Sequence, residues 1–514
     1  MSVLSEQEQL KKLYRAYREG KGKGKGDIKL YPKSFQSLDE ALKLFMVREE
    51  RDKYLIVQGD KERLKQTGFR GDYVEAGGLN FLKCSLSHEN AEAVRDHLEF
   101  TRPVIIGKSD SYGLGDRLGN AGPAHIRAIR NTGFKPVLAQ QSIRELDRTQ
   151  RTAENVMDAA SWAVLQEGYR DGFGADADHL KTVEDIDRMV VAGFTMFTID
   201  PSDHVRHDAG LLSNSDLEEQ SSGFNWALLK TTVSELISRY SEKELKLNHD
   251  FHLQPTKREV YTAAVKYGGV LLHAKKMTDY LKLHHSEKNV EIELSIDETE
   301  EPTSPFEHYF IASELDRLGI ELVSLAPRFC GEFEKGIDFK GDLEEFKTEY
   351  LQHIAIAEVF GGYKLSIHSG SDKFSIYNAI GSLSKGNVHV KTAGTSYLEA
   401  LRSIAEAEPE LFKDILHYSL GRFDIDKKTY FISAEPGTIP RLLEEKKGEE
   451  ADLLDNPHVR QVLHVTYGSV LTKDDHDFRK HMMECLAENE TIYEENLLKH
   501  FHKHLNPFGK NEQS

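Results

Sequence analysis

The decapeptide GFGADADHLK, residues 172–181, holds two glycines, two aspartates and a histidine. Aspartate and glycine suit turns on their own account, so a solvated loop is one reading. The other is chemical: Asp178 is a proton-transfer group and His179 a metal ligand at the rim of a site. Two further stretches carry matching residue types. His368 opens HSGSDK, where glycine and serines permit a tight turn that leaves the imidazole at a rim. Neutral imidazole is the commonest metal-binding side chain. Glu293 lies in EIELSID, in alternation with Ser295 and Asp297; a strand's period of two points all three the same way. A glutamate aimed into a core needs a partner or a task, because an unpaired buried charge is costly. Glu293 is therefore either a salt-bridged structural residue or a general acid/base set against Asp178.

The elements that would position these residues begin at residue 103. Short apolar runs alternate there with longer amphipathic segments: PVIIG (103–107), PVLAQ (136–140), a weak run near GFGAD (172–176), FTMFTI (194–199), EIELSID (291–297), ELVSLA (321–326), KLSIHS (364–369) and VHVKTAG (388–394). Helical candidates between them include TAENVMDAASWAVLQEG and DLEEFKTEYLQHIAIAEVF. Eight strand–helix repeats predict an α/β fold, a TIM-like (β/α)8 barrel, with an open doubly wound sheet as the alternative. The expected division is a small N-terminal α/β extension over 1–95, the catalytic barrel over 96–480 with an insertion near 205–255, and a C-terminal helical tail over 481–514.

In such a barrel the C-terminal strand ends share one face, where catalytic groups gather. The runs here end in KSDSYGLGDRLG, QSIRE, GADADH, DPSDH, IDETEEPTSP, PRFCGEFEKGID, HSGSDKFS and KTAGTSYLEA. Lys391, with Thr392, Gly394 and Thr395, could hold a carboxylate or phosphate at a helix start. Lys108, Asp116 and Arg117 of the first ending are substrate contacts or rim salt bridges. GLGDRLG is not a GxGxxG pattern and lacks a Walker lysine, which sets nucleotide binding aside.

Composition narrows the partners. Lys and Arg total 67 against 85 Asp and Glu, for a net charge of -18, unlike a nucleic-acid surface. The basic run GKGKGKGDIK alternates with glycine and reads as a loop. Cys84, Cys330 and Cys485 lie far apart, as in a reduced protein without a thiolate zinc site. The N-terminal stretch has no apolar core of signal length and no segment is long and apolar enough to span a bilayer, so a cytoplasmic location is expected, with no membrane partner. A homo-oligomer is compatible with all of this.

Longer stretches carry a resemblance. GDRLGNAGPAHIRA, AQQSIRELDRT, EGYRDGFGADADH, GFTMFTIDPSDHV, IDETEEPTSP, GEFEKGIDFKGD, SIHSGSDKFSIY, HVKTAGTSYLEA and HVTYGSVL together resemble the tagaturonate epimerase family, from about residue 95 to 475. The resemblance implies an isomerase of hexuronate breakdown that interconverts D-tagaturonate and D-fructuronate, a small ketouronate pair. It implies Asp178 as proton acceptor, Glu293 as donor, and a divalent cation on His179, His368 and a third residue from GEFEKGID, with Glu332 ahead of its rival Glu334. Zn²⁺, Mn²⁺, Ni²⁺ and Fe²⁺ all suit such ligands. Arg117, Ser142 and Lys391 are the expected substrate contacts. The chemistry expected is inversion at the ketose C4 by retro-aldol cleavage and re-addition. A metal-dependent sugar-acid aldolase, a uronate isomerase and a sugar-acid binding protein are the competing readings.

Overall fold

Eight short parallel strands pair edge to edge until the last meets the first. They are β1 (Ser111–Leu114), β2 (Lys135–Ser142), β3 (Gly174–Leu180), β4 (Met196–Ile199), β5 (Glu291–Ile296), β6 (Ser324–Pro327), β7 (Lys364–Ile367) and β8 (Val388–Thr392), and they form a closed barrel. The structure is a computed structural model that describes residues 5–20, 28–248, 251–383, 386–473 and 476–509. Most of the glycine-alternating lysine run, residues 21–27, lies outside the described residues, as do 510–514 of the expected C-terminal tail and 249–250 of the expected insertion. Helices such as Ala153–Glu167, Pro305–Arg317, Leu343–Val359 and Thr395–Ala407 pack around the barrel. The first two start with capping boxes, at Thr152 and Ser304, which satisfy orphan backbone donors where the chain leaves a loop.

The run PVIIG (103–107), expected as the first strand, is not one. The first strand is the four-residue SYGL that follows it. The earlier segment crosses the N-terminal mouth of the barrel: the Val104 amide donates to the Phe173 carbonyl at 2.8 Å, and the Ile106 amide donates to the Glu291 carboxylate at 3.2 Å. Glycines make room for this plug. A Cβ on Gly174 would lie 2.9 Å from Ile106, and one on Gly172 would lie 2.9 Å from Val104. These two glycines therefore serve the floor of the barrel, not a turn at its catalytic rim.

The barrel interior is unusually polar. Such cores are commonly filled by Val, Ile and Leu, yet Ser111, Asp176, Thr198, Glu291, Glu293, Ser324, Lys364, His389 and Lys391 are all buried here. In the floor layer Lys364 Nζ donates to the Gly107 carbonyl at 2.8 Å and to Ser111 Oγ at 3.1 Å. Burial pushes the Lys364 ammonium down to about 8. Gly113, in register with Lys391, leaves the space that the Gln140 side chain occupies; a Cβ there would lie 1.7 Å from Gln140 Oε1.

Before the barrel, five antiparallel strands between Ile28 and Ser85 form a separate sheet. Helix Glu6–Gly20 covers one face through Leu10, Leu13 and Tyr17. The other face packs on Trp162 and Leu165 of a barrel helix. After β4 the chain runs through short helices before the long helix Lys257–His284. After β8 it continues into Pro409–Asp426, Pro457–Thr472, Phe478–Glu488 and Glu490–Leu505. Among the described residues no helix is long and apolar enough to cross a membrane.

Candidate active site

GADADHL is a strand, and its alternation is the key to it. Ala175 and Ala177 join the surrounding hydrophobic core, whereas Asp176 and Asp178 point into the barrel. Pairing with β4 is irregular between Ala177 and Leu180, and His179 takes φ 57°, a left-handed value rare outside glycine. Ser369, directly after His368, has φ 52°. Non-glycine residues held in this region cluster at functional sites because the surroundings must over-determine them.

Lys391 is the hub. Its ammonium lies 2.7 Å from Asp176, 2.8 Å from Asp178 and 2.7 Å from Glu293, and it donates to Thr198 Oγ1 at 2.7 Å. Expected as a substrate contact, it is instead filled by carboxylates from β3 and β5. Register explains the convergence, since Thr198 and Ser324 flank Glu293 on the neighbouring strands and both hydroxyls meet its carboxylate. Burial pushes Asp176 up to about 6 even beside the lysine. Burial also raises Asp178 and Glu293, but the charges of His179 and Lys391 on the first, and of Lys391 with the His368 hydrogen bond on the second, hold both well below the usual carboxylate range.

Above the hub, His179, Asp297 and His368 bring one ligand atom each to within 4.8 Å of one another. His179 Nδ1 sits 2.8 Å from Asp178 Oδ1, and His368 Nε2 sits 2.7 Å from Glu293 Oε1. His368 Nδ1 faces Asp297 at 3.1 Å. Asp178 and Glu293 thus each back one imidazole, the usual arrangement behind a metal-ligating histidine, while His368 Nδ1 turns to Asp297, the third member of the set. Two imidazoles and one carboxylate suit a borderline divalent cation, so the residues fit the ion that the resemblance implies. A second buried set, Asp372 with His500 and His504, fits an ion poorly: Arg460 already lies 2.8 Å from Asp372, a cation where another would have to sit.

The remaining expectations sort by distance. Glu332 lines the same cavity but turns to Arg328 at 3.5 Å and stays 44% exposed, outside the convergent set. Glu334 accepts from Lys340 Nζ at 2.8 Å and Gln461 Nε2 at 2.6 Å. Asp297 occupies the third position instead. Its alternation with Glu293 and Ser295 was the available signal, and it pointed at orientation without singling out a ligand. Glu293 has no exposed surface and meets the cavity through His368 and Lys391, whereas Asp178 lines the wall itself. Arg117 donates to Glu145 at 2.9 Å and stacks 3.6 Å from the Tyr467 ring centroid. Ser142 lines the cavity, and its Oγ caps the next helix by accepting from the Glu145 amide at 3.3 Å. Lys108, expected at the rim, precedes the first strand and bonds the Gly361 carbonyl at the N-terminal side of the barrel, away from the cavity.

The cavity measures about 510 Å³ and opens above the convergent set. Its wall includes Arg144, Glu298, Lys335, Tyr430 and His464, the last two from beyond the eighth strand. Arg144, Glu298 and Lys335 stand in strand endings that the sequence offers without singling them out, whereas Tyr430 and His464 reach the barrel mouth only once the C-terminal segments fold over it.

Comparison with known proteins agrees with this architecture. The tagaturonate epimerase family model matches residues 31–508. The chain is 42% identical over 484 residues to the tagaturonate/fructuronate epimerase of Thermotoga maritima, covering 94% of this chain and 97% of that protein. It is similar to the native crystal structure of the fructuronate-tagaturonate epimerase UxaE from Cohnella laeviribosi, with a TM-score of 0.87 and 37% identity over 94% of this chain and 97% of that one. A glycerol complex of the Cohnella laeviribosi enzyme gives the same TM-score, 0.87, at 36% identity, covering 98% of this chain and 99% of that one. With the match running from the N-terminal sheet to the last helices, the chain belongs to the tagaturonate epimerase family.

Proposed function

We propose that this protein interconverts D-tagaturonate and D-fructuronate by inverting C4 of the ketose, with a divalent cation held by His179, Asp297 and His368. The observation that carries the activity is 42% identity across 94% of the chain to an epimerase of that name. The convergent donor set supports the ion. When bound, such an ion supplies a Lewis acid for the oxygens of a ketose.

Substrate chemistry restricts the route. C4 is β to the C2 ketone, so its C–H proton is not acidic and enolisation cannot invert it. Cleavage and re-formation of C3–C4 can. Asp178, the hub carboxylate on the cavity wall, takes the C4 hydroxyl proton. The O–H electrons form the C4 carbonyl, and the C3–C4 pair moves to C3 and the C2 oxygen as an enediolate. The three-carbon aldehyde acid turns its other face, C3 attacks again, and Asp178 returns the proton to the new C4 hydroxyl. Atoms and charge balance without a second substrate.

Glu293 acts through others: it orients His368 and, with Asp176 and Asp178, fixes the Lys391 ammonium beneath the site. That ammonium keeps Asp178 ionised as a proton acceptor. The deciding experiment is NMR of metal-loaded protein with D-fructuronate in D₂O, beside a chelated control. Metal-dependent D-tagaturonate without deuterium at C4 is expected. Deuterium at C4 would refute bond cleavage while keeping the epimerase, accumulation of free three-carbon aldehyde acid would indicate an aldolase, and no turnover with any divalent metal would overturn the proposal.

A further inference from the structure

The cations around the cavity fall into two kinds. Arg117 is committed to the protein: besides Glu145 and the Tyr467 ring, its Nη1 donates to the His464 carbonyl at 3.3 Å. Lys391 is committed to three carboxylates. Arg144 and Lys335 line the same cavity, and among the described residues neither makes an ion pair with a carboxylate. Arg144 lies 5.6 Å from the Tyr430 ring centroid, and Lys335 Nζ donates to Ser369 Oγ at 2.5 Å.

Their placement in the fold is informative. Arg144 stands on helix Ile143–Thr149, directly after β2, and Lys335 on the loop after β6, strands that face each other across the barrel. Both reach over a floor whose other groups, Asp178 and Asp297, are anionic. Lys335 feels its neighbour: burial and the Arg144 charge hold its ammonium below the usual value. Glu145, Glu298 and Asp297 act on the pair from the same wall, yet among the described residues none reaches either head at ion-pair distance, which leaves both heads open to an anion from outside. A ligand with ketone and hydroxyls at one end and a carboxylate at the other matches this division.

We propose that Arg144 and Lys335 form the subsite for the substrate's carboxylate, in place of Arg117 and Lys391. This rests on the reading above that the substrate is a ketouronate. A guanidinium offers a planar fork to a carboxylate and an ammonium a point charge, so the pair both orients and neutralises it.

The test compares wild type, Arg144→Met, Lys335→Met and Arg144→Lys in steady-state turnover of D-fructuronate, with bound metal counted in every sample. Each Met variant should raise KM about 10- to 100-fold, the worth of a charge-assisted hydrogen bond, with metal content unchanged. Arg144→Lys should recover part of the loss. KM within about threefold of wild type in both Met variants, or a loss confined to kcat, overturns the subsite. The wild-type arm separates the two ideas: if wild type fails to turn over D-fructuronate, the ketouronate reading fails and the subsite falls with it.

Discussion

Lys391→Met is the sharpest perturbation of the site, because it removes one cation from three carboxylates and leaves the volume nearly unchanged. The ammonium is 4% exposed and lies 2.7–2.8 Å from Asp176, Asp178 and Glu293. Taking one partner from a buried ionic cluster costs about 3–5 kcal/mol, since the remaining charges are left uncompensated. The carboxylates then rise further, and Asp176 starts from about 6 already. An acid whose folded value exceeds its unfolded value destabilises the fold as pH rises, because the folded state holds a proton that the unfolded chain has released. One such proton gives a slope of about 1.4 kcal/mol per pH unit. From pH 8 to 6.5, where Asp176 in the wild type stays mostly ionised, about 2 kcal/mol of the loss should therefore return. Denaturant unfolding of EDTA-treated wild type and variant at several pH values measures this directly. A difference that stays flat over that window would show that packing, not charge, is what Lys391 supplies. A total loss under about 1 kcal/mol would refute the hub itself.

Further expectations follow from the same contacts. Glu293→Gln should weaken metal binding about 10- to 100-fold in a competition assay with a chromogenic chelator, because it loosens His368; unchanged affinity would remove Glu293 from that orienting role. Asp178→Asn, assayed at saturating metal, should lower turnover of D-fructuronate about 10²- to 10⁴-fold, and a smaller loss would place the base elsewhere. Asp372→Asn takes from Arg460 its partner at 2.8 Å, leaving Glu399 at 3.5 Å and two backbone carbonyls, and should cost about 3 kcal/mol at neutral pH. Burial raises Asp372, but the charges of Arg460 and His500 hold it well below the usual carboxylate range, so its contribution is full above about pH 4 and shrinks by about 1.4 kcal/mol per pH unit below that; a difference from wild type that stays flat between about pH 5 and pH 3 would contradict this. Gly174→Ala should push on Ile106, 2.9 Å from the added carbon, and speed amide exchange at Ile106 and Gly107; unchanged exchange would show that the plug yields without opening.

The parts of this molecule that were legible beforehand are those written in local pattern. Seven of the eight strands lie under apolar runs, and alternation correctly aimed Glu293, Ser295 and Asp297 to one side. The first strand was missed because PVIIG has the composition of a strand, whereas SYGL is four residues long with a glycine inside it. PVIIG sets Ile106 against Gly174 at the barrel floor, leaves Val104 and Ile105 exposed and gives two of its amides to Glu291, a use that periodicity does not encode. Asp178, His179 and His368 were found at strand ends, but their roles depend on contacts remote in sequence. Lys391 looked like an anion site while its neighbours were Thr392 and Gly394; beside Asp176 and Glu293 it is a counter-ion. The same logic runs through the polar barrel. A lysine paired with three buried carboxylates ties Asp176, Asp178 and Glu293 to a single point, so that a shift of any one of them weakens a buried ion pair. That arrangement aligns Asp178 and Glu293 behind the two histidines. The buried charges below the cavity therefore hold the geometry that the chemistry above it needs, and this dependence, more than any single residue, is what the substitutions at Lys391 and Glu293 put to the test.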